Sequence, residues 1–349
     1  MSRNYRKHLI HRDYTIKEAL DRLNQLAKDA ILFVVDDEDT LIGSLTDGDV
    51  RRGLLKGVNI DDSILTIIQK EPKFIYNEDQ NIQNVLNLRA GNFRILPVVD
   101  DKKRIIKIIN FRLQKSYLPI DVVIMAGGRG ERLKPLTDQT PKPLLKIGEK
   151  PIIEHNIDRL ISFGIDNFWI SVRYLGDQLK EYFQDGNAKG VQMRYVSEDI
   201  PLGTIGAVSE IKTFQHNHVL VTNSDILTTL DYEQFYLEHI KNDADVTVAT
   251  IPYAVSIPYA VLETENNRVK GFEEKPTYTY YSNGGIYLFK KTILDQIPES
   301  TFYNATDLME KVINNKGRVC SFPLIGYWLD IGKMPDYIKA QEDIKHLDL

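Results

Sequence analysis

Apolar and polar positions follow two different patterns along this chain, and the change of pattern divides it. In TIKEALDRLNQLA, residues 15–27, Ile16, Ala19, Leu20 and Leu23 fall on one face at helical spacing. Two short apolar strands follow, ILFVVDD at 31–37 and TLIGSLT at 40–46. The same order recurs 64 residues later, as NIQNVLNLRA at 81–90, ILPVVDD at 95–101 and RIIKIIN at 104–110. The repeat predicts a pseudo-symmetric pair of units sharing one core over residues 1–117.

QKSYLPID, residues 114–121, reads as a linker punctuated by Pro119. Beyond it, short apolar strands alternate with helical segments. The order is DVVIMAG, PIIEHNIDRLISFG, NFWISVRY, GDQLKEYFQ, VQMRYVSE, GTIGAVSEIKTF and HVLVTNSD. This predicts an α/β domain over 118–349 with a mainly parallel sheet. Such sheets bind ligands at the carboxyl ends of their strands, which selects the residues after VVIM, VSE and VLVTN.

Composition narrows the function classes. With 42% hydrophobic and 27% charged residues in 349, the chain can build packed cores and is not a disordered one. No run reaches the roughly 18 apolar residues of a membrane span, and the charged start MSRNYRKHLIHRDY is no signal peptide. The only cysteine, Cys320, excludes an internal disulfide and suits the cytoplasm, where it reads as a small packing residue. The net charge of −5 divides into +3 over residues 1–117 and −8 over 118–349. Neither part has the basic excess of a nucleic-acid binder.

Positive charge is instead focused at 125–145, MAGGRGERLKPLTDQTPKPLL. Gly127, Gly128 and Gly130 let backbone N–H groups approach an anion closely. Arg132 and Lys142 follow, and Pro135, Pro141 and Pro143 stiffen the arm that carries them. The stretch is not a Walker loop, since no G-K-[ST] follows, and the third glycine of the dinucleotide fingerprint is missing.

This stretch resembles the signature G-G-x-G-T-R-L-x-P-L-T…P-K-P of sugar-phosphate nucleotidyltransferases. The resemblance continues in order through EDIPLGTIGAV at 198–208, TNSDI at 222–226, FEEKP at 272–276, NGGIY at 283–287 and WLDIG at 328–332. It implies a Rossmann-like domain with a mainly parallel mixed sheet. It also implies transfer of a nucleotidyl group from an NTP to a sugar 1-phosphate, with release of pyrophosphate. By the same resemblance Arg132, Lys142, Asp225 and Lys275 are catalytic, and Asp225 and Asp330 hold Mg²⁺. Ala126, Gly127, Gly128, Gly130, Glu198, Gly203 and Asn223 contact the nucleotide, and Glu274, Asn283 and Gly284 the sugar. A carboxylate only accepts hydrogen bonds. Glu198 at the base edge therefore suits guanine, with its adjacent N1–H and N2–H₂ donors, better than uracil or thymine. The plain alternative is that Glu198 points to solvent.

Three positions depart from the family pattern. Glu131 stands where threonine is common, Ser224 precedes Asp225 in place of glycine, and Ala260 replaces a glycine near the sugar. The short stretch after WLDIG implies that a C-terminal β-helix and its acetyltransferase activity are absent. The repeat over 1–117 resembles a tandem pair of CBS domains, modules that often bind adenine nucleotides. Their Thr/Ser-x-x-Asp ribose signature is kept as Thr46 and Asp49 in the first unit and is lost in the second. The plain alternative is a structural or dimerising module.

A CBS pair ahead of a short nucleotidyltransferase resembles the glucosamine-1-phosphate guanylyltransferases of legionaminic acid biosynthesis. The leading expectation is therefore a cytoplasmic, homo-oligomeric guanylyltransferase acting on glucosamine 1-phosphate. Two alternatives stand beside it: a uridylyl- or thymidylyltransferase on a hexose 1-phosphate, and a nucleotide-sensing protein with an inactive catalytic fold.

Overall fold

The structure is a computed structural model that describes residues 5–77 and 81–347. The first four residues of the charged start lie outside it, as do 78–80 within the repeat and 348–349. The chain forms two compact units. One comprises 1–119, 161–166 and 185–192, and the other 120–160, 167–184 and 193–349. Among the described residues, no helix is long and apolar enough to cross a membrane.

The first unit realises the sequence repeat. In its first half β1 (Leu9–His11) pairs in parallel with β2 (Ile31–Val35), which pairs antiparallel with β3 (Leu41–Thr46). Helix α1 (Ile16–Leu26) covers this sheet and α2 (Asp47–Leu55) follows it. In the second half β4 (Ile75–Tyr76), β5 (Ile95–Val99) and β6 (Ile105–Asn110) repeat the order and directions, with α3 (Ile82–Ala90) in the place of α1. Even the register shifts correspond, at Val34/Val35 and at Val98/Val99.

The halves meet about a local twofold relation. Thr40 bridges Arg104, and Leu41 N–H donates to Lys103 O just as Ile105 N–H donates to Asp39 O, both near 3.0 Å. Leu9, Phe33, Val35 and Leu41 share one buried cluster with Ile95, Val99 and Ile105. Neither three-stranded sheet could bury its apolar face alone, so the repeat needs both copies. No helix like α2 follows β6, where the chain turns at Asn110–Gln114.

The second unit is an α/β layer structure. Its strands are β7 (Asp121–Met125), β8 (Lys146–Ile147), β9 (Lys150–Pro151), β10 (Asn167–Val172), β11 (Gln192–Ser197), β12 (His218–Asn223), β13 (Ile226–Thr228) and β14 (Val246–Ser256). They continue with β15 (Val261–Glu265), β16 (Arg268–Glu273), β17 (Thr277–Lys290), β18 (Val319–Pro323) and β19 (Trp328–Asp330). The main sheet has seven strands in the order β11-β10-β7-β12-β17-β14-β18. β7 pairs in parallel with both β10 and β12, and β17 enters antiparallel. The continuous apolar runs of β7 and β12 are those of strands covered on both faces. The helices are α4 (Ile152–Ser162), α5 (Gly176–Phe183), α6 (Tyr232–Lys241), α7 (Lys291–Leu294), α8 (Ala305–Asn314) and α9 (Met334–Asp343).

One predicted helix is not formed. GTIGAVSEIKTF holds only a 3₁₀ turn at Gly206–Glu210. Gly203 has φ +80°, and a Cβ on Gly206 would lie 2.6 Å from Thr301 O, so close backbone packing displaces regular helix there.

A buried polar relay ties α6 to the sheet. His239 Nδ1 lies 2.8 Å from Thr247 Oγ1, and its Nε2 lies 3.2 Å from His218 Nδ1. Burial, then the charges of His218 and Lys290, pushes His239 down to about 3. Burial with Lys290 and His216 pushes His218 down to about 4. Below the ordinary histidine value of 6.5 the unfolded chain binds protons that the folded one refuses. Stability is therefore full above that value and falls as pH drops through the window beneath it. Urea unfolding is expected to lose about 2 kcal/mol between pH 7 and pH 5 through His239 alone. His239→Gln should flatten that fall, and an identical slope in the variant would remove the relay as its source.

Candidate active site

The carboxyl ends of β7, β10, β11 and β12 open on a cavity of about 520 Å³. β7 runs into Ala126–Gly130, where Gly130 is sterically required and Gly127 lies against the Glu198 carboxylate. A Cβ on Gly127 would lie 2.9 Å from Glu198 Oε1, and one on Gly130, at φ +65°, 2.9 Å from Lys142 Cβ. Gly128 faces open space. The loop is braced by Thr137, whose hydroxyl donates to Gly130 O at 2.9 Å. Arg129 lies over the Tyr174 ring, 5.5 Å from its centroid, and 4.0 Å from Glu131, which itself lines the cavity.

Arg132 sits on the turn Glu131–Leu133, with its guanidinium against the Gly332 backbone. Lys142 opens a second turn, between Pro141 and Pro143, and is buried. Its ammonium pairs with Asp225. Asp225 follows β12 and, through its carbonyl, accepts from Ile331 N–H at 3.0 Å. Its neighbour Ile226 pairs with Asp330 across β13 and β19. Partial burial, then the charge of Asp225, raises the Asp330 carboxyl above its ordinary range, against the pull of Lys142 and Arg132. Two carboxylates set side by side, one of them raised, form a donor set fit for a hard divalent cation.

Glu198 follows β11 and is buried, so it does not point to solvent. Ser171 Oγ donates to its Oε1, and Leu202 N–H to its Oε2 at 3.2 Å. A carboxylate has about four acceptor positions, so each oxygen keeps one. Gly203 packs against Tyr303 O, only 2.6 Å from where a Cβ would stand. Asn223 ends β12 at the rim of the same cavity.

Thus Ala126, Gly127, Gly128, Gly130, Arg132, Lys142, Glu198, Gly203, Asn223 and Asp225 share one cavity, with Asp330 beside it. The residues expected at the sugar do not line it. Glu274 and Lys275 are exposed on the turn between β16 and β17, with Lys275 at φ +47°. Asn283 is exposed on β17, its Oδ1 accepting from Gly285 N–H at 2.9 Å. Gly284 is buried, packed on Ala249 O, and accepts from Trp328 Nε1–H at 3.0 Å.

Arg173, Leu202, Thr204 and Phe302 also line the cavity. Arg173 stands just past the carboxyl end of β10, where the strand-end rule applied to NFWISVRY selects it. Phe302 has no comparable signal, because only the packing of a distant segment brings it there.

In the first unit Thr46 caps α2 and Asp49 closes the capping box, with Thr46 Oγ1–H donating to Asp49 Oδ2 at 2.6 Å. Arg52 pairs with the other Asp49 oxygen at 2.5 Å. All three line a cavity of about 580 Å³ that also receives Lys28, Phe93, Arg94 and Arg112.

Comparison with known proteins agrees with this geometry. The profile described as Nucleotidyl transferase matches residues 121–346, and the CBS domain profile matches 1–56. A D-glycero-alpha-D-manno-heptose 1-phosphate guanylyltransferase from Aneurinibacillus thermoaerophilus is 32% identical over 232 residues, 65% of this chain and 99% of the relative. A mannose-1-phosphate guanylyltransferase from Mycobacterium tuberculosis is 29% identical over 64% of this chain, and the match spans 64% of its own length. Among solved structures, HddC from Yersinia pseudotuberculosis complexed with GMP-PN is 27% identical with a TM-score of 0.51, covering 64% of this chain and 99% of that one. The chain therefore belongs to the nucleotidyl transferase family and carries a CBS domain at its N-terminal end.

Proposed function

We propose that this protein is a Mg²⁺-dependent guanylyltransferase that converts GTP and a hexose 1-phosphate, glucosamine 1-phosphate in first place, to a GDP-sugar and pyrophosphate. The observation that carries the base assignment is Glu198, a buried carboxylate fixed by Ser171 and Leu202 beside the glycine loop. Its remaining lone pairs match the adjacent N1–H and N2–H₂ donors of guanine and repel the carbonyls that flank the single N–H of uracil. Similarity to two guanylyltransferases supports the same choice.

In this reading the amides of Ala126–Gly130 and the Arg132 guanidinium cradle the triphosphate. A sugar-phosphate oxygen attacks the α-phosphorus in line, the bond to the β-phosphate oxygen breaks, and the electron pair leaves with pyrophosphate. Catalysis of this kind is positioning and charge stabilisation. Lys142, released from Asp225, neutralises the reacting α-phosphate. Asp225 and Asp330 would hold Mg²⁺, which supplies positive charge against the charge that develops on the leaving group. Lys275, Glu274, Asn283 and Gly284 are assigned to the sugar phosphate and its hydroxyls. The enzyme would work as a cytoplasmic homo-oligomer. An adenine nucleotide at Thr46 and Asp49 would regulate it, the vicinal ribose hydroxyls taking the place of Arg52 on the Asp49 carboxylate.

Pyrophosphate release with Mg²⁺ should be confined to GTP when GTP, UTP, CTP, dTTP and ATP are tried against glucosamine, mannose, glucose and N-acetylglucosamine 1-phosphates. Glu198→Gln should raise the KM for GTP about tenfold or more, since an amide cannot accept from both donors. Turnover with UTP or dTTP instead would show that Glu198 does not read the base. Silence across the panel would favour the sensing protein.

Asp225→Asn should lower kcat by at least about a hundredfold with an unchanged circular dichroism spectrum, because one metal-ligand charge is lost. Turnover near wild type would take Asp225 out of the site.

Asp49→Ala should weaken calorimetric binding of AMP or ATP about tenfold, through lost charge-assisted bonds to ribose. Unchanged affinity would end that assignment.

A further inference from the structure

Phe302 is an exposed aromatic held in place. It is 59% exposed, yet it lines the cavity that also receives Glu198, Leu202 and Gly203. The segment carrying it is pinned to the loop after Glu198. Tyr303 N–H donates to Leu202 O at 2.9 Å, and Ile205 N–H donates to Tyr303 O at 3.2 Å. Ala305 N–H donates to Thr204 Oγ1 at 2.9 Å. Tyr303 packs against the core, half-buried, and its neighbour Phe302 is left at the cavity.

Leu202 is the hinge of this corner. Its N–H bonds the Glu198 carboxylate and its C=O bonds Tyr303 N–H. One residue thus fixes the spacing between a carboxylate, which reads the edge of a planar ring, and an aromatic side chain, which can cover a ring's face. Exposed aromatic area that a ligand would cover is otherwise a standing cost.

We propose that Phe302 is the stacking platform for the nucleobase and a determinant of nucleotide affinity, resting on the reading that Glu198 meets the base edge. The ligand class is a planar heteroaromatic base carrying a triphosphate. A purine offers the larger face.

The test is calorimetric binding of GTP and of tripolyphosphate, each with Mg²⁺, to wild type, Phe302→Ala and Phe302→Tyr. Because the ring lies largely outside the core, truncation should leave the fold intact. Phe302→Ala should weaken GTP binding about tenfold, the scale of one base–ring stack. It should leave tripolyphosphate, which has no base, within about twofold of wild type. Phe302→Tyr should keep the affinity for GTP.

Equal binding of GTP by wild type and Phe302→Ala would overturn the platform, and so would an equal loss of tripolyphosphate, which would mark a structural effect on the loop. If GTP turns over in the wild type but its affinity ignores Phe302, only the platform falls. If Phe302→Ala weakens UTP as much as GTP while Glu198→Gln changes neither, the platform stands and the guanine assignment falls. A wild type that binds no nucleotide overturns both.

Discussion

The placing of two carboxylates, Asp225 and Asp330, side by side, with the Lys142 ammonium on Asp225, organises the glycine-loop end of the cavity. Backbone pairing brings them together, since β13 and β19 place Ile226 opposite Asp330 and Ile331 N–H bonds Asp225 O. Partial burial first, and the charge of Asp225 second, raise the Asp330 carboxyl. Positive charge must answer it, and the chain supplies Lys142 on a turn held between two prolines and wedged against Gly130. In the proposed function the same lysine turns to the phosphate once a cation takes over the carboxylates. A mobile lysine would relieve the repulsion equally well but would not be aimed.

The cavity divides by chemistry along its length. At one end the glycine loop, Arg132 and Lys142 offer hydrogen-bond donors and positive charge. At the other, Glu198, Gly203 and Phe302 offer an acceptor, a close backbone approach and an aromatic face. Gly127 lies at the junction, against the Glu198 carboxylate. The residues assigned to the sugar stand on the β14–β17 ribbon and the turn beside it, where the chain is largely exposed.

The N-terminal unit shows how one short motif can carry two duties. Thr46 and Asp49 satisfy the first turn of α2 as a capping box, a purely local task. They also line a cavity rich in basic side chains. The second half of the repeat keeps the strands, directions and register shift but ends at Asn110 in a turn, and with the helix it loses the motif. The repeat is therefore symmetric in its core, where both copies must bury the same face, and asymmetric where only the first half carries a helix and its capping motif.

Local patterns alone determined the repeat, its helix α1, the α/β alternation and the glycine loop after β7, because each follows from spacing that a short window contains. The strand-end rule likewise picked out the residues after VLVTN, Asp225 among them, whereas Glu198 was marked by the family resemblance. Tertiary structure decided what short windows do not hold. It dissolved the expected helix at 203–214 into a 3₁₀ turn, since Gly206 must approach the Thr301 backbone. It set Asp330 against Asp225 through strand pairing between distant segments, and it buried Glu198 between two donors. It brought Phe302 to the Glu198 side of the cavity through hydrogen bonds from Tyr303 to the loop around Leu202. Sequence spacing fixes which face of an element is apolar; only packing decides which distant side chains that face will meet.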